Sequence, residues 1–102
     1  MEREQGPMDI DRLRARRQEI VGCALSHGAR NVRVFGSAAR REVAVDSDID
    51  LLVEMEPGRS LLDLVSLWQD LESMLGTQVD VLSDRGVSPH LRERILAEAV
   101  PL

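Results

Sequence analysis

Asp48 and Asp50 stand two residues apart where a charged stretch gives way to an apolar run, in Asp46-Ser47-Asp48-Ile49-Asp50-Leu51-Leu52-Val53. Side chains alternate across a strand, so a strand starting here points both carboxylates to one face. Asp80 sits inside a second such run, Gln78-Val79-Asp80-Val81-Leu82. If the two strands are neighbours, Asp80 reaches the same point in space. Three carboxylates gathered there repel one another, and left unpaired at least one would have a raised pKa. A hard divalent cation resolves that conflict. Magnesium takes octahedral oxygen ligation and usually keeps waters or phosphate oxygens in its shell. Two such ions roughly 3.5–4 Å apart can activate an attacking oxygen and stabilise a leaving pyrophosphate. The competing reading is plainer: Asp48 and Asp50 as solvated carboxylates at a strand end, Asp80 as an exposed edge-strand residue.

Gly36-Ser37 supplies a second half-site, where a strand turns into a predicted helical segment. Glycine lets the backbone come close to a phosphate, and serine offers a hydroxyl and an N–H. The positive end of a short helix favours the same anion. Arg40, one turn on, could add a charge-assisted contact. The chain has no Lys at all, and all 13 of its basic residues are Arg. Cationic help with a phosphate must therefore come from Arg. The same absence excludes a Schiff-base lysine and a P-loop, which needs Gly-Lys-Ser/Thr.

The elements that must position these groups are legible in outline. Residues 1–8 read as a flexible N-terminal tail and 9–102 as a single domain. From Asp9, Ile10, Leu13, Ile20, Val21, Ala24 and Leu25 fall at helical spacing, and Gly28 is placed to end that helix. Val32, Val34 and Phe35 give a short strand that ends at Gly36-Ser37. Ala38 to Val45 reads as a helical turn and a loop. Ile49 to Met55 is strongly β, and Pro57-Gly58 is a turn. Ser60 and Asp63 resemble a capping box ahead of a helix whose apolar face is Leu61, Leu64, Val65, Trp68, Leu71 and Leu75, with Trp68 in the core. Gly76 ends that helix, and Gln78 to Leu82 is a third strand. Ser88-Pro89 is an N-cap and N1 pair opening a last helix through Ala97. The order is helix, strand, strand, helix, strand, helix. It specifies an α/β (α+β) fold: a small mixed β-sheet with helices packed on one face.

Composition removes other function classes. The chain has 102 residues, a net charge of −5, and 43% hydrophobic residues against 30% charged. That describes one globular domain rather than a disordered chain. An acidic domain is a poor general binder of nucleic acid, because non-specific affinity comes from neutralising phosphates. With no Tyr, one Phe and one Trp it has almost no platform for stacking bases. One Cys, Cys23, allows no internal disulfide and cannot close a zinc site on cysteines, and His27 and His90 lie far apart. These three residues read as structural or surface groups. No run approaches the roughly 18 apolar residues a membrane helix needs, and the first residues lack the apolar core of a signal peptide. A cytoplasmic location is expected.

Taken together, the Gly36-Ser37 pair, ten residues (38–47), Asp48-Ile49-Asp50 and the later Asp80 resemble the nucleotidyltransferase superfamily of the DNA polymerase β type. Within it the chain is similar to the minimal nucleotidyltransferases, antitoxin partners of HEPN-domain toxins. The similarity runs through Phe35-Gly36-Ser37 and Ser47-Asp48-Ile49-Asp50-Leu51-Leu52-Val53 and spans roughly residues 9–102. One departure is Arg41, where the family often has Gly. The resemblance implies a polymerase β-like fold in which Asp48 and Asp50 hold two magnesium ions and Asp80 completes the second ion's shell. It also implies that Asp80 helps deprotonate an acceptor hydroxyl and that Gly36 and Ser37 bind the β- and γ-phosphates of ATP. The implied reaction is AMP transfer to a tyrosine of a partner HEPN toxin. Two alternatives stand beside it. One is a non-catalytic antitoxin that only masks the toxin. The other is transfer to a small-molecule hydroxyl, for which a chain this short leaves little pocket.

Overall fold

A computed structural model of the chain describes residues 10–36 and 49–102. Helices α1 (Ile10–Ala15) and α2 (Arg17–Ser26) lead into β1 (Ala29–Phe35), and β2 (Ile49–Met55) follows. Next come α3 (Leu61–Leu75), β3 (Val79–Ser83), a 3₁₀ turn (Asp84–Gly86), α4 (Pro89–Glu98) and β4 (Val100–Pro101). The strands form one mixed sheet in the order β3-β2-β1-β4. β1 runs antiparallel to both β2 and β4, and β2 runs parallel to β3 through the α3 crossover.

The core lies between one face of this sheet and α1, α2 and α3. Ile49, Leu51 and Val53 of β2 are fully buried there with Val79 and Val81 of β3 and Val34 of β1. Leu13, Ile20, Ala24, Leu67 and Leu71 meet them from the helices. Alternation along β2 and β3 therefore sends Asp50 and Asp80 to the opposite face. On β1 the phase shifts once. The register slips between Arg30 and Arg33, and Asn31 adopts φ 55°. This bulge brings both Ala29 and Val32 into the core although they are three residues apart. Asn tolerates the left-handed conformation the bulge demands.

The helix ends follow the sequence. Asp63 accepts a hydrogen bond from the Ser60 N–H at 2.9 Å, the reciprocal half of the expected capping box. Gly76 takes φ +69° and donates its N–H to Glu72 O at 2.9 Å. Ser88 Oγ accepts from His90 N–H at 3.2 Å, with Pro89 at the first helical position. Asp63→Ala removes the N-cap acceptor, a negative charge in the first turn and an ion pair to Arg59. Thermal or urea unfolding should register a loss of about 1 kcal/mol.

Three details differ from the sequence reading. The first helix breaks at Arg16, whose guanidinium donates to Met74 O at 3.0 Å and so satisfies a carbonyl in the last turn of α3. Glu19 holds the same guanidinium at 2.8 Å, which raises its pKa and lowers that of Glu19. The buried stripe of α3 runs through Leu67, Leu71 and Leu75, with Leu64 and Trp68 packed at its margin. Leu61 and Val65 are exposed, because the first turns of α3 reach beyond the sheet that would cover them. The residues after the last helix form a further element that the sequence reading did not include. Val100 and Pro101 add an edge strand beside β1, and Leu102 donates to Val32 O at 3.1 Å and is buried. The helical turn expected over Ala38 to Val45 lies outside the described residues.

Candidate active site

The register of the sheet builds the site. Asp50 of β2 is the direct partner of Asp80 on the parallel strand β3, and of Phe35 on the antiparallel strand β1. Neighbouring strands lie about 4.8 Å apart, so the two carboxylates stand side by side on the face turned away from the core. Ile49 pairs with Val79 and Leu51 with Val81, all four buried. Two acidic residues thus replace apolar ones at the same level of adjacent strands. Both are half-buried, and Asp50 is engaged in an interaction of its own.

Gly36 follows β1 and closes the third side. It has φ +73°, and a Cβ placed on it would collide with Asp50 Oδ2. The residue must be glycine on two counts, the left-handed backbone and the approach of the carboxylate. Its backbone is therefore held against the face where Asp50 and Asp80 point. Ser37, Arg40 and Asp48, the other residues expected here, lie outside the described residues.

Two neighbours were not foreseen from the sequence. Beside Gly36 a shallow pocket of about 240 Å³ is lined by Phe35, Leu91, Arg94, Ile95 and Glu98. Arg94 of α4 thus lines the same pocket as the glycine turn. No spacing rule could have signalled it, since it comes from 58 residues further along the chain. On the same face Arg33, the register partner of Leu52, donates to Asp84 Oδ1 at 2.7 Å, and both side chains are largely buried. This pair closes the far side of the carboxylate face, and Leu52 is buried there.

On the other side of the sheet, Cys23 and His27 of α2 approach Asp70 of α3. His27 Nε2 lies 2.6 Å from Asp70 Oδ2. Burial, with the Asp70 carboxylate beside it, pushes the Cys23 thiol above its ordinary pKa. The thiol is therefore protonated at neutral pH and is not an activated nucleophile.

The parallel β2–β3 pair thus sets two facing aspartates beside a glycine turn, hard oxygen donors next to a close-approaching backbone. The chain belongs to the polymerase beta nucleotidyltransferase family, whose model matches residues 22–102. It is 49% identical over 93 residues to MJ0435 of Methanocaldococcus jannaschii, which is named as a protein adenylyltransferase. That match takes in 91% of this chain and 97% of the relative. It is 38% identical over 73 residues to the protein adenylyltransferase MntA of Thermococcus cleftensis, covering 72% of this chain and 74% of that one. Among solved structures, one described as a minimal nucleotidyltransferase superposes with a TM-score of 0.83 at 54% identity, covering 93% of this chain and 97% of that one. The fold also matches the MNT antitoxin in a complex with the tri-AMPylated HEPN toxin of Shewanella oneidensis. There the TM-score is 0.67 at 20% identity, over 86% of this chain and 69% of that one. The protein is thus a nucleotidyltransferase. Among the described residues no helix is long and apolar enough to cross a membrane.

Proposed function

We propose that the protein transfers AMP from ATP to a tyrosine hydroxyl of a HEPN-type toxin and so acts as its antitoxin in the cytoplasm. The observation that carries this reading is the in-register pairing of Asp50 with Asp80, with the Gly36 backbone held against Asp50. The names of the relatives support a protein as the acceptor. The catalytic unit is assigned to residues 9–102. No direct contact with nucleic acid is assigned, in keeping with the net charge of −5.

The donor set fits magnesium. Asp50 and Asp80 offer hard carboxylate oxygens on one face, and no soft ligand stands among the described residues of that face. Asp48, Asp50 and Asp80 would hold two magnesium ions, which neutralise the triphosphate and the departing pyrophosphate. Gly36 and Ser37 bind the β- and γ-phosphates through backbone N–H groups and the serine hydroxyl, with Arg40 and Arg94 as the nearby cations. The acceptor oxygen forms a bond to the α-phosphorus. The bond from that phosphorus to the bridging oxygen breaks, and pyrophosphate leaves with its electron pair. Asp80 takes the hydroxyl proton and passes it to solvent.

Two measurements test this reading. ATP labelled at the α-phosphate should label the partner, and ATP labelled at the γ-phosphate should not. Label from the γ position would show phosphoryl rather than nucleotidyl transfer. Magnesium-ATP at 100 times its Kd should stabilise the free protein by ~2.7 kcal/mol, seen as a rise in melting temperature. Magnesium alone should also stabilise, because it relieves the carboxylate repulsion. No shift with either would overturn the site assignment.

A further inference from the structure

Cys23, His27 and Asp70 form a donor cluster that the nucleotidyl-transfer chemistry does not use. Cys23 and His27 are four residues apart at the end of α2, so they share one helical face. Asp70 comes from α3, which packs against α2. A sulfur, an imidazole nitrogen and a carboxylate oxygen from these three side chains all lie within 4.8 Å of one another. His27 closes α2 and its backbone N–H donates to Ala24 O at 3.0 Å, which fixes its place.

We infer that these three residues bind a zinc-type transition-metal ion, clasping α2 to α3. Bond lengths of about 2.0–2.3 Å in a tetrahedral zinc site put its ligand atoms about 3.3–3.7 Å apart. In the cluster His27 and Asp70 are 2.6 Å apart and no two of the three ligand atoms are more than 4.8 Å apart. Small side-chain rotations convert one arrangement into the other. Asp70 is the most exposed of the three and has room to withdraw from His27, while Cys23 and His27 are half-buried. Three protein donors leave one coordination position, which opens to solvent on the Asp70 side.

The donor types decide which ion. A thiolate and an imidazole select zinc, cobalt or copper over magnesium, which prefers oxygen. The cluster is therefore chemically distinct from the Asp50–Asp80 face. It is also remote from it, because the core and the sheet stand between them. β1, seven residues at about 3.3 Å each, separates the end of α2 from Gly36 by about 20 Å along the strand.

Cobalt(II) is the probe, because it takes zinc sites and reports thiolate ligation by a near-ultraviolet charge-transfer band. One equivalent added to the full chain should produce that band together with visible absorption of tetrahedral type. One equivalent of zinc should remove both, and excess magnesium should remove neither. Cys23→Ser should abolish the band. Asp70→Asn, at an exposed position where folding is not at stake, should weaken cobalt affinity by about tenfold or more, as should His27→Gln. Asp50→Asn should leave the band unchanged, which separates this site from the catalytic face. The inference is overturned if no band forms. It is equally overturned if Asp70→Asn and His27→Gln bind cobalt as tightly as the unaltered chain, since the thiol alone would then be the ligand.

Discussion

Asp50→Asn is expected to leave a folded protein that no longer transfers AMP. Asparagine matches aspartate in size and keeps one acceptor oxygen, and Asp50 lies on the face of β2 turned away from the core. The melting temperature should therefore change little, and it should rise slightly where carboxylate repulsion is relieved. Activity should behave otherwise. In the proposed site Asp50, beside Asp80, would help hold the divalent ions, and Asn would supply no charge for that. Loss of one well-placed electrostatic group at an enzyme site typically costs about 10²–10³ in rate. A carboxylate that would hold the ions belongs at or beyond the upper end of that range. Initial rates of pyrophosphate release measure it. Full activity in Asp50→Asn would remove Asp50 from the mechanism.

The second large effect falls on Gly36, which carries no functional group. Gly36→Ala must place a methyl where Asp50 Oδ2 now lies, at φ +73°. The left-handed conformation alone costs about 1–2 kcal/mol for a residue with a Cβ. The atom in the way is the end of the Asp50 side chain, so relieving the clash displaces the carboxylate the site depends on. Either the turn moves or Asp50 does. A displacement of about 1 Å at a reacting centre can cost about 100-fold in rate. Gly36→Ala should thus lower both the melting temperature and the rate, whereas Asp50→Asn lowers the rate alone. That contrast is the diagnostic. A Gly36→Ala protein of normal stability and activity would show that the close approach to Asp50 is not needed.

The parts of this protein that could be read from the sequence are those fixed by local chemistry. Gly76 and Ser88-Pro89 mark helix ends that the structure places at the same residues, because left-handed caps and N-caps depend on a few neighbouring dihedral angles. Asp50 and Asp80 could be set on one face because strand alternation is strict, and the parallel β2–β3 register then makes them direct partners. What could not be read depends on distant packing. Nothing local distinguishes Leu67 from Leu61 on α3, since which leucine is covered depends on where the sheet ends. β4 is two residues long and includes a proline, so no propensity reveals it until β1 supplies the partner. Cys23 and His27 show their i, i+4 spacing in the sequence, but it carries little meaning until α3 delivers Asp70. Arg94 lines the Gly36 pocket through the same kind of long-range placement.

The central claim is that this face of the sheet moves AMP onto a protein. The most direct test is the intact mass of a HEPN-type partner after incubation with this protein, magnesium and ATP. The partner should gain the mass of one or more AMP groups, located on tyrosine by fragmentation, and should gain none with Asp50→Asn. A partner that forms a tight complex yet keeps its original mass would contradict the account and leave masking as the means of neutralisation.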